Sequence, residues 1–159
     1  MELLPLVLLS PLLFWVAWSD LTKMRIPNRI VFITLCVFVV FVPLLPIDSV
    51  MSRVLAALGV FAVGFVLFAF RMFGGGDVKI LAALMLFIPP ATLPLFGFVF
   101  SLSMLFGIGI VVTMRASPWA ERSRWVSLRA KGYFPVGVAI ALAGLVHPWL
   151  VAGLLSLPS

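Results

Sequence analysis

Six apolar runs separated by short polar clusters constrain this chain more than any other feature. They cover Leu3 to Trp18, Ile30 to about Leu45, about Met51 to Phe70, Val78 to Ile88 with an extension toward Leu95, about Phe96 to Met114, and about Tyr133 to Leu155. A helix needs ~20 mostly apolar residues to cross a bilayer, so six crossings would use roughly 120 residues and leave only short connections. Hydrophobic residues make up 64% of the chain and charged residues only 10%, against about 25% charged in an ordinary soluble domain. This excludes a soluble globular domain, a disordered chain and a disulfide scaffold. Cys36 is the only cysteine, so neither an internal disulfide nor a paired-cysteine zinc site can form. The expected fold is an all-α polytopic membrane bundle of six transmembrane helices, with residues 1–159 as one domain.

The basic residues test that segmentation. With six crossings, the loops at 19–29, 71–79 and 115–131 share one side of the membrane. They hold Lys23, Arg25, Arg29, Arg71, Lys79, Arg115, Arg122, Arg124, Arg129 and Lys131, and the opposite side holds only Arg53. Basic loops stay cytoplasmic, which predicts both termini on the outer side. Five or seven crossings would scatter the charges. The net charge of +6 then reads as basic loops beside anionic lipid. Nucleic acid is not expected as a partner, because no basic run is interleaved with aromatic stacking residues. Met1-Glu2 opens the chain without Lys or Arg, unlike a cleavable signal peptide. The fourth run is the weakest span, since Pro89-Pro90 breaks or kinks it.

Few side chains here can do chemistry, and a carboxylate near hydrocarbon is costly. Asp20 follows the first run directly. Asp77 follows Gly74-Gly75-Gly76 and precedes the fourth. The topology sets both on the cytoplasmic side at a similar depth, 57 positions apart in sequence. Asp48 lies on the other side and reads as an N-cap of the third span, and Glu121 falls in a polar stretch facing water. Asp20 and Asp77 are therefore the one carboxylate pair that can converge. Two close carboxylates share a proton, because both cannot readily ionise. The ionised one can activate a water while the protonated one polarises a carbonyl. The glycines allow positive φ and close approach, and Asp77 would cap a helix beginning at Val78, with Lys79 holding negative charge nearby. Taken singly, either aspartate could be no more than a helix cap.

These residues resemble a known family. Asp20 followed by Ile26-Pro27-Asn28 looks like the first aspartate motif of the type IV prepilin peptidases. Gly74-Gly75-Gly76-Asp77-Val78-Lys79 is similar to their G-x-G-D-x-K motif, and Phe134 to Ala141 to the Pro-x-Gly segment opening the last span. The resemblance implies an intramembrane aspartic endopeptidase that removes the basic leader of pilin-like precursors at the cytoplasmic face of a bacterial or archaeal inner membrane. Asp20 and Asp77 would be the catalytic pair, with Gly74, Gly75, Gly76, Lys79, Pro27 and Asn28 in support. No metal or other cofactor is implied. The partners would be a prepilin or pseudopilin precursor and membrane lipid. Larger members carry a cytoplasmic domain with paired Cys-x-x-Cys motifs between the first two spans and also N-methylate the product. Here that loop is about 11 residues without cysteine, as in the short branch tied to Flp (tight-adherence) pili, so methyltransferase activity is not expected.

The other readings are a GxGD protease of the presenilin or signal-peptide-peptidase type, a small proton-coupled carrier using the two aspartates as relay groups, and a structural subunit of a secretion complex. The stretch from Ser117 to Lys131 reads as an interfacial helix capped by Ser117 with Pro118 in its first turn. His147 is expected at the outer interface and Cys36 in mid-span packing. Trp15, Trp18 and Trp149 suit an aromatic belt. Gly59, Gly64, Gly107 and Gly109 are expected to permit close helix packing.

Overall fold

A computed structural model describes residues 3–117, 123, 125–129 and 134–156. Every regular element among them is helical. The first run folds as α1 (Leu4–Leu8) and α2 (Ser10–Lys23), divided at Leu9. Pro11 causes the break: it has no N–H for the carbonyl of Val7, and the Ser10 hydroxyl donates to that carbonyl instead at 2.6 Å. Helix α2 runs past Ser19-Asp20 and stops at Met24, a left-handed residue (φ 48°) whose N–H donates to the Asp20 carbonyl. That turn reverses the chain within a few residues. Pro27, extended at ψ 138°, then leads into α3 (Asn28–Phe41). A 3-10 turn at Val42–Leu44 around Pro43 closes α3.

Helix α4 (Ile47–Ala69) starts after Pro46, so Asp48 lies inside its first turn rather than capping it. Helix α5 (Gly75–Met85) has only 11 residues, about 16 Å of rise and half the hydrocarbon thickness. It ends before Pro89-Pro90, and after a 3-10 turn α6 (Leu93–Arg115) takes over. A short α7 (Val126–Arg129) and the long α8 (Val136–Leu155) complete the order. The interfacial segment expected at Ser117–Lys131 lies largely outside the described residues. Within α7, Ser127 and Leu128 are buried, Trp125 meets the edge of Trp18 at 6.0 Å between ring centres, and Arg115 donates twice to the Ser127 carbonyl.

Three stretches among the described residues are long and apolar enough to cross a membrane: Ile47–Ala69, Pro90–Arg115 and Val136–Leu154, with Asn28–Leu44 a shorter apolar helix. Helices α5 and α8 form the centre. Helix α8 packs on α2, α5 and α6, while α5 packs on α3, α4 and α8. Ala139, Ile140, Ala141 and Ala143 of α8 are fully buried. The outer surface is the reverse of a soluble protein's: Phe32, Val40, Phe98 and Leu105 stand two-thirds or more exposed. Apolar surface on this scale needs lipid or a partner to cover it.

Several expectations are corrected here. His147 is wholly buried: its Nε2 lies 3.1 Å from Thr92 Oγ1 and its ring meets the edge of Phe96. Cys36 is exposed on the outer face of α3 and packs no core. Gly64 and Gly107 do permit close approach, to Val78 and Phe134, but Gly59 and Gly109 face open space. Arg53 is fully buried, with Nε donating to Ser49 Oγ and Nη1 to the Leu86 carbonyl at the end of α5. It thus satisfies a carbonyl that the helix terminus leaves open.

Candidate active site

Asp20 projects from the last turn of α2 and is only 4% exposed. Asp77 lies in the first turn of α5 and is half-buried. The two carboxylates line one cavity of about 510 Å³, bounded by the end of α2, the loop through Ile26 and Pro27, and the Gly74–Asp77 turn. That volume lies in the range of small-molecule and peptide sites. Lys23 and Arg25 stand at its margin.

The local chain explains the convergence. The Ser19 hydroxyl donates to the Arg25 carbonyl at 2.7 Å, which pins the loop after α2. Buried Ile26 packs against Gly76 of α5 and Gly137 of α8. A Cβ on Gly76 would lie 3.1 Å from Ile26 Cβ and 3.2 Å from its carbonyl oxygen, so only glycine lets α5 come this close. Helix α5 begins at Gly75 with Gly74 as its N-cap, so Asp77 is the third helical residue and not the cap. From there its carboxylate reaches back toward the Gly74 amide, as the acidic residue of a capping box does; Gly74 has no room for a Cβ beside it. Gly75 packs against the Phe68 ring. None of the three glycines adopts a positive φ. Their role is the missing side chain.

The supporting residues divide into two groups. Pro27 and Asn28 line the cavity. Lys79 does not line it: its ammonium donates to Asn28 Oδ1 at 3.1 Å instead of approaching Asp77. This bond ties the start of α3 to α5 and so joins the two motifs.

Gly137 is the residue that sequence reasoning did not assign to the site. The N-terminus of α8 comes so close that a Cβ on Gly137 would lie 2.8 Å from Asp20 Oδ2 and 2.9 Å from Ile26 Cδ1. Its amide faces both carboxyls. The signal was present in Pro135-Val136-Gly137, read there only as the start of a span.

Both aspartates lie just outside the apolar runs, Asp20 after Trp18-Ser19 and Asp77 before Val78. Burial takes both carboxyls out of bulk water, and Asp77 lies near enough to act on Asp20 through its charge. The amides of Gly137 and Val138 face Asp20, and those of Gly74 and Gly137 face Asp77. They leave Asp20 Oδ2 and Asp77 Oδ1 buried without a hydrogen-bond partner. Unpartnered carboxylate oxygens are costly. A site that tolerates them has a low-dielectric pair ready to hold a proton and to bind a polar group of an incoming molecule.

Residues 7–112 match the model of the type IV leader peptidase family. The match spans two-thirds of the chain and contains Asp20 and Asp77, and the chain belongs to this family. It is accordingly a membrane protein of a peptidase family. No curated protein and no solved structure matches it significantly.

Proposed function

We propose that this protein is an aspartic endopeptidase that cuts the basic leader from type IV prepilin-like precursors of the Flp type, with Asp20 and Asp77 as the catalytic pair. The observation that carries this reading is that two carboxyls from separate motifs line one cavity, each with a buried oxygen that has no hydrogen-bond partner. One ionised carboxylate takes a proton from a water, and the resulting hydroxide adds to the scissile carbonyl carbon. The protonated partner donates to the carbonyl oxygen as negative charge develops there. The tetrahedral intermediate collapses, the C–N bond breaks, and the leaving nitrogen takes a proton from the pair. A carboxylic acid and an amine result.

The basic loops support a cytoplasmic active site, and a leader rich in Lys and Arg stays on that side for the same reason. We read the chain as six spans with both termini outside, in the inner membrane. The first is the broken pair α1–α2, and the fourth is α5 continued by the Leu86–Thr92 segment. The short, cysteine-free loop between α2 and α3 supports leader removal without methyl transfer. The family match favours proteolysis over a proton-coupled carrier.

Co-expression with a candidate precursor tests the reading. Wild type should shorten the precursor by the mass of its leader, and Asp77→Asn should leave it intact. Cleavage by both, or by neither across a panel of pilin precursors, would overturn the proposal.

A further inference from the structure

The protein has a second large cavity, a trough of about 540 Å³ between α3 and α4 with α5 as its floor. Helices α3 and α4 both pack on α5 but scarcely touch each other, so a trough opens between them over one face of α5, with Ala82, Ala83 and Leu86 buried at its bottom. That face carries Lys79, Ala82, Ala83 and Leu86, the i, i+3, i+4, i+7 spacing of a single helical stripe. The α3 wall repeats the spacing with Val31, Leu35 and Phe38, and the α4 wall with Val54, Ala57, Leu58 and Phe61. Three stripes at helical period therefore enclose a concave seat about two turns long. Among the described residues, Lys79 is the one polar residue lining it.

Two features decide what fits there. The deep part is made of alanines, Ala57, Ala82 and Ala83, while Leu35, Leu58 and Phe61 stand up at the sides. Small side chains at a membrane helix contact let another backbone approach closely, which suits a helix rather than a single acyl chain. The trough also adjoins the catalytic cavity: Lys79 at its end hydrogen-bonds Asn28, which lines the cavity holding Asp20 and Asp77. An apolar helix lying in the trough would thus deliver the chain preceding it to the two carboxyls.

We propose that this trough seats the apolar helix of the substrate, entering sideways from the membrane between α3 and α4, with the scissile bond held beyond the Lys79 end. This rests on the peptidase reading above and gives it a substrate-binding surface.

The test uses full-length protein in nanodiscs and a precursor built from a short basic leader and a 20-residue apolar helix with one cysteine in its first two turns. In a Cys36→Ser, Asp77→Asn background, a cysteine is placed at Leu35 or Leu58 on the trough walls, or at Phe65 or Phe98 elsewhere on the apolar surface. Disulfide trapping should join the precursor to the wall positions and not to the other two. In the catalytically intact chain, Ala83→Phe should raise KM on the order of tenfold or more with little change in kcat, the pattern of lost binding. If wild type cuts the precursor yet the wall cysteines trap it no better than Phe65 or Phe98, the trough holds lipid and the inference fails while the peptidase reading stands. If wild type cuts no precursor, the peptidase reading itself fails. The trapping arm does not depend on Ala83→Phe folding.

Discussion

Replacing Gly137 by alanine sets a methyl carbon 2.8 Å from Asp20 Oδ2, 3.0 Å from Asp20 Cγ and 2.9 Å from Ile26 Cδ1. Carbon contacts are ordinarily about 3.5–4.0 Å, so the new group overlaps its neighbours on two sides. Ile26 is buried against α5 and has little room to yield. Relief must therefore come from displacing the Asp20 carboxyl or the start of α8. Overpacking of this kind costs about 1–3 kcal/mol, and alanine in a helix returns about 0.5–1 kcal/mol relative to glycine. The net loss of stability should be at most about 2.5 kcal/mol. Catalysis is more sensitive, since a misplacement near 1 Å can cost on the order of 10²-fold in rate. The assay is single-turnover leader cleavage beside thermal unfolding in detergent, with Gly153→Ala as control, because Gly153 in the same helix has nothing within 4 Å. The expected result is a roughly 10²-fold slower cut in Gly137→Ala with a Tm lowered by no more than about 10 °C, and no change in Gly153→Ala. A folded Gly137→Ala protein that cuts at the wild-type rate would refute the assignment of α8 as the third wall around Asp20 and Asp77.

Further outcomes follow from the same geometry. Asp20→Asn and Asp77→Asn should each lower cleavage by at least about 10²–10⁴-fold while the protein still inserts, read by product mass and membrane fractionation. Gly64→Leu brings side chain onto Val78, whose Cγ1 lies 2.7 Å from the position of a Cβ, and should destabilise by about 1–3 kcal/mol. Gly59→Leu, in open space on the same helix, should stay within about 0.5 kcal/mol, both measured by denaturant or thermal unfolding. Lys79→Met removes the 3.1 Å bond to Asn28. At this exposed position it should cost no more than about 0.5–1.5 kcal/mol, while slowing cleavage by loosening α3 against α5.

By itself the sequence determined that this chain is helical and belongs in a membrane, because apolar runs and a scarcity of charge are local properties that no packing can undo. It also singled out Asp20 and Asp77 as the carboxylate pair expected to converge, and the two do line one cavity. Local periodicity could not show that the first run breaks at Pro11, that α2 continues through Asp20 to a left-handed Met24, or that Asp77 sits inside its helix rather than capping it. Those outcomes depend on how backbone hydrogen bonds are shared at helix ends. Still less could it show that Gly137 closes on Asp20, that Lys79 turns to Asn28, that His147 is buried, or that α3 and α4 part over α5. Each is a contact between elements far apart in the chain, set by side-chain size where helices meet. Glycine at 76 and 137 and alanine at 57, 82 and 83 have meaning only against the neighbours that approach them, and only the tertiary structure supplies those neighbours.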